Sequence, residues 1–87
     1  MVVAAAAVVA LNRAVAVAEV DGPAAALALV DELGLDGYHL FHAIRADLLR
    51  RLGRSSESAN AYDAALGLTA SGPERTFLQR RRESVAG

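Results

Sequence analysis

The stretch Phe41-His42-Ala43-Ile44-Arg45-Ala46-Asp47-Leu48-Leu49-Arg50-Arg51-Leu52-Gly53-Arg54-Ser55-Ser56-Glu57-Ser58-Ala59-Asn60-Ala61-Tyr62-Asp63-Ala64-Ala65-Leu66 reads as two helices folded back on each other. Phe41, Ile44, Leu48 and Leu52 recur at three- and four-residue steps, and Ala59, Tyr62 and Leu66 form a second stripe with the same period. The joint Leu52-Gly53-Arg54-Ser55 offers a glycine that tolerates left-handed geometry, followed by a hydroxyl N-cap. An antiparallel helix hairpin is the expected result.

Working outward, Arg13-Ala14 returns as Arg45-Ala46 and Val30-Asp31 as Tyr62-Asp63, both at a spacing of 32. A second, related helix pair is therefore expected upstream, with chance similarity in an alanine-rich chain as the alternative. Small residues at Ala14, Ala26, Ala46, Ser58 and Ala65 would let helix axes approach, while Val17, Val30, Leu49 and Tyr62 fill the grooves between them. The later pair resembles the tetratricopeptide (TPR) pattern: Ala46 and Ser58 take small positions, Leu49 and Tyr62 the aromatic ones, and Ala65 the next alanine. It departs from that pattern at His42, Arg45 and Ala70, where Trp, Leu and Pro are usual.

Asp21-Gly22-Pro23, Gly34 to Gly37, Gly53 to Ser56 and Ser71-Gly72-Pro73 punctuate the chain and predict five helices, near 3–19, 23–33, 38–52, 56–68 and 73–85. Asp21 and Ser71 are expected as caps, the latter in a capping box with Glu74. Eighty-seven residues suffice for a single domain spanning 1–87. The expected fold is all-α: antiparallel hairpins in a TPR-like, right-handed solenoid fragment, closed by the fifth helix as a cap.

Composition narrows the function. With 54% hydrophobic and 5% aromatic residues, packing must come from small aliphatic side chains on helices. The absence of cysteine excludes disulfide frameworks and thiol chemistry, and the cytoplasm is the expected compartment. A net charge of −1 gives no global attraction to nucleic acid or anionic lipid. The eleven apolar residues Met1 to Leu11 lack a basic start and are too few to span a bilayer, so no membrane association is expected.

The runs Leu11 to Glu19, Asp21-Gly22-Pro23, Gly37-Tyr38-His39-Leu40-Phe41-His42 through Arg54, Ala61 to Leu66 and Glu74 to Arg81 resemble the C-terminal TPR-like extension of certain extracytoplasmic-function sigma factors, over about residues 8 to 83. The resemblance implies part of a transcription-initiation factor whose extension tunes activity through its own sigma domains, RNA polymerase or another regulator. It also implies that this chain is the C-terminal part of a longer factor.

Particular residues carry the remaining expectations. Asp47, Arg50 and Arg51 fall on the concave side of a TPR alignment and form the expected partner-binding face. Arg13 and Arg45 share one repeat position inside otherwise apolar helices, where each needs a carboxylate from Asp31, Asp47 or Asp63; an ion pair fixing helix register is favoured over a ligand clamp. Asp36, His39 and His42 have a spacing compatible with metal ligands, yet capping and structural hydrogen bonds explain them better, and neither metal nor cofactor is expected. No nucleophile–base arrangement or phosphate loop is recognisable, so the expected protein is not an enzyme. Arg75, Arg80, Arg81 and Arg82 support the alternative, a DNA-contacting accessory domain, although cations suit a last helical turn and no aromatics interleave. Lastly, Val2, Val3, Val8 and Val9 leave the first helix apolar all round, predicting a two-fold homodimer. Burial of about 500 Å² at roughly 25 cal/mol per Å² would yield on the order of 12 kcal/mol gross.

Overall fold

The computed structural model describes residues 5–86, which form five helices: α1 (Ala5–Asp21), α2 (Pro23–Leu33), α3 (His39–Arg51), α4 (Ser55–Leu68) and α5 (Gly72–Ala86). No strand occurs among the described residues. Each helix packs on the next in the chain, and α1 also touches α3. The resulting slab measures 31 × 30 × 18 Å, the thin direction matching about two helix layers.

Small residues set the layer spacing. Ala14, Ala26, Ala46, Ser58 and Ala65 are all sealed from solvent, and Val30, Leu49 and Tyr62 fill the space between them. Leu11, Leu27, Phe41, Leu48 and Leu78 extend the same cluster from α1 to α5. The Ser58 hydroxyl donates to the Ala46 carbonyl at 2.8 Å, so this buried polar atom at the α3–α4 contact is satisfied.

The helix joints follow the punctuation, but with other capping chemistry. α1 runs on to Asp21, and the N-cap of α2 is Gly22, at φ 91° with no side-chain cap. Asp21 therefore does not cap α2: a one-residue joint leaves the residue before Gly22 inside α1. α3 ends in a Schellman turn, with Gly53 N–H bonded to the Arg50 carbonyl and Arg54 N–H to that of Leu49. The N-cap of α4 is Arg54 and not a serine hydroxyl; its guanidinium forks onto Glu57 at 2.8 and 2.6 Å. The Glu74 carboxylate lies 2.8 Å from His39 Nε2 and so is engaged by α3 instead of a capping box with Ser71.

Candidate protein-docking groove

α1, α3 and α5 together line a concave surface. On α3 the stripe Leu40, Ile44, Asp47 and Arg51 recurs at four- and three-residue steps and faces it. α1 adds Val15 and Ala18, and α5 adds Phe77, so one end is an apolar cleft of about 210 Å³. The neighbouring end, about 300 Å³, is lined by Arg50, Tyr62, Leu78 and Arg81 and shares Ala43, Asp47, Arg51 and Phe77 with the first. The two hollows adjoin along α3 and are both open to solvent.

Asp47 organises the charged end. Its carboxylate accepts from Arg50 at 2.6 Å and from Arg51 at 3.0 Å, and Arg51 reaches Glu19 on α1 at 3.4 Å. The bond to Asp47 pushes the Arg50 guanidinium further above its usual range. Burial pushes the Tyr62 phenol up, against the opposing influence of Arg50. Arg50 Nε is buried without a hydrogen-bond partner. The Arg81 guanidinium lies 5.3 Å over the ring of Phe77, which is 56% exposed.

The structure thus brings Asp47, Arg50 and Arg51 into one hollow and keeps other expected residues apart from it. Arg45 Nε pairs with Asp31 at 2.7 Å, joining α3 to α2, and the repeat-related Asp63 pairs with Arg82, joining α4 to α5. Arg13 corrects the expectation of a buried arginine. It is exposed, beside Ala10, Leu29, Glu32 and Leu33, because α1 buries only the Leu11, Ala14 and Ala18 stripe. Val8 is half-buried and Val9 exposed, while Val2 and Val3 lie outside the described residues.

Histidine and arginine side chains resolve the remaining candidates. His42 Nε2–H donates to the Asp36 carbonyl at 2.7 Å, a structural bond, and His39 turns to Glu74. No cluster of three metal-ligating side chains occurs among the described residues. Arg75 donates to the carbonyls of Leu66 and Thr69, closing the end of α4, and Arg82 forks onto Asp63. Sequence reasoning missed Val15, Leu40, Ile44, Phe77 and Arg81 as groove residues. The signal was present in Phe77, a large apolar side chain in the most polar helix, and absent for the others.

No family model and no solved structure matches the chain. It is similar to an uncharacterized protein of Rhizobium meliloti (strain 1021), at 43% identity over 81 residues. That alignment covers 91% of this chain but only 19% of the relative, so the chain spans less than a fifth of the protein it matches. Among the described residues no helix is long and apolar enough to cross a membrane.

Proposed function

We propose that this chain is a TPR-like docking module that acts by binding protein and not as an enzyme, and that it serves as the regulatory C-terminal part of a sigma factor in the cytoplasm. The observation that carries the docking reading is the groove across α1, α3 and α5, with an apolar cleft beside the Asp47, Arg50 and Arg51 cluster. The repeat at a spacing of 32 supports the TPR-like description. It is supported further by the parallel use of Asp31 and Asp63, each pairing with the helix that follows its own. The sigma-factor assignment rests on the sequence resemblance, and a much longer relative is compatible with a module attached to other domains.

The natural ligands under this reading are the factor's own sigma domains or RNA polymerase. Calorimetric titration of the chain with purified sigma domains, and separately with core polymerase, tests it. Saturable binding to either, weakened at least roughly fivefold by Arg51→Glu, is the expected result, since removing a charge from a docking interface typically costs a kcal/mol or more. No heat and no complex with either partner would remove the assignment. The DNA-contacting alternative loses ground because Arg75 and Arg82, two of its four arginines, are occupied by intramolecular acceptors.

A further inference from the structure

We infer that the groove selects an acidic amphipathic helix of its partner, seating apolar side chains in the cleft and placing a carboxylate against Arg50, Arg51 and Arg81. The inference rests on the docking reading above and adds the chemistry of the ligand. Charge complementarity carries it. Three guanidiniums line the polar end, whereas among the described residues the only carboxylate lining it is Asp47, already shared by Arg50 and Arg51. Exposed Glu19 reaches Arg51 at 3.4 Å, which still leaves positive charge in excess. Arg50 Nε is sealed from solvent and out of an incoming group's reach, but Arg81 has no carboxylate partner among the described residues, its guanidinium lying 5.3 Å over the Phe77 ring. Donors in this state are best matched by an incoming carboxylate, which can accept from two guanidiniums at once.

The apolar end supplies the second half of the recognition. Val15 is 42% and Phe77 56% exposed, with Leu40 and Ile44 half-buried between them. Ile44 and Arg51 lie two turns apart on one face of α3, roughly 10 Å along its axis. A helix laid along α3 would therefore meet both ends if it carries an apolar anchor and an acidic residue about seven positions apart. A phosphate backbone would satisfy the arginines and leave the apolar cleft unused.

Fluorescence anisotropy with labelled synthetic helices of about 18 residues, in an alanine–glutamine background, tests this. The peptides carry leucine anchors and, two turns away, Glu, Gln or Lys. The intact chain should bind the Glu peptide roughly fivefold or more tightly than the Gln peptide, and the Lys peptide most weakly. Arg81→Glu should abolish or reverse that order, while Val15→Asp should weaken the Glu and Gln peptides alike. Arg81→Gln, which removes charge without introducing repulsion, carries the test if circular dichroism shows that Arg81→Glu perturbs the helices. Equal affinity for Glu and Gln peptides, an order unchanged in both Arg81 variants, or no binding would overturn the inference. So would efficient displacement of the Glu peptide by duplex DNA. Sigma domains that bind Arg81→Glu and Val15→Asp at full affinity would sink the groove assignment while sparing the docking function. Peptide selectivity without binding of sigma domains or polymerase would do the reverse.

Discussion

Ser58 shows how much one side chain contributes where two helices touch. It has no exposed surface, and its hydroxyl bonds the Ala46 carbonyl across the α3–α4 contact. Ser58→Ala should cost about 1 kcal/mol, the net worth of one buried hydrogen bond, whereas Ser58→Val should cost about 2–3 kcal/mol by adding overpacking. Urea unfolding of the three proteins checks the order. Tyr62 sets a pH limit by a different route. Its folded pKa is raised, chiefly by burial, so its contribution to stability is complete below the unfolded value of about 10 and declines as pH rises beyond it. Alkaline denaturation followed by circular dichroism should therefore show stability falling above about pH 10. Tyr62→Phe should flatten that fall; an unchanged profile would exclude the phenol as its source.

At the scale of a helix, two glycines of the same hairpin should respond oppositely to alanine. Gly53 closes α3 at φ 75°, a geometry that disfavours a Cβ although no atom lies within 4 Å of where one would be. Gly53→Ala should therefore destabilise by about 1 kcal/mol, lowering the melting temperature by roughly 5 °C. Gly67 is helical, exposed and also without neighbours at its Cβ position. Gly67→Ala should stabilise by about 0.5 kcal/mol, through helix propensity and a less flexible unfolded chain. Thermal melts of the two variants separate backbone strain from contact loss, because neither substitution adds a clash. The helix ends themselves illustrate a preference that sequence order concealed. At the end of α4 the Arg75 guanidinium, not a hydroxyl, donates to the Leu66 and Thr69 carbonyls, whereas at the start Arg54 holds the Glu57 carboxylate and caps no backbone group.

For the molecule as a whole, exposed apolar surface raises the question of assembly. Val9 is 55% and Val20 83% exposed on α1, so the proposed two-fold pairing through this helix has a surface to use. Val9 is better placed than half-buried Val8 to test it. Light scattering at micromolar concentration should give twice the chain mass, and Val9→Asp should restore the monomer with its helicity intact. A monomer mass for the unaltered protein would dismiss the pairing. Val15, also on α1, lines the groove proposed for docking, so Val15→Asp should impair peptide binding without changing the mass.

The all-helical class, the limits of α2 to α5 to within about one residue, and the buried small positions were legible along the chain because they depend on local signals, while the expected start of the first helix at residue 3 lies outside the described residues. Gly22-Pro23, Gly53 and Gly72-Pro73 interrupt helical periodicity where they stand, and Ala14, Ala26, Ala46, Ser58 and Ala65 recur where axes must approach. Asp47, Arg50 and Arg51 were legible as a group for the same reason: they share one face of one helix. The apolar wall was not, since Val15, Ile44 and Phe77 belong to three helices and meet only after those helices have packed. Nor could the sequence choose among carboxylates for its arginines. Arg45 found Asp31, Arg51 found Asp47 and Glu19, and Arg82 found Asp63, because long side chains select partners by distance across helix contacts and not by separation along the chain.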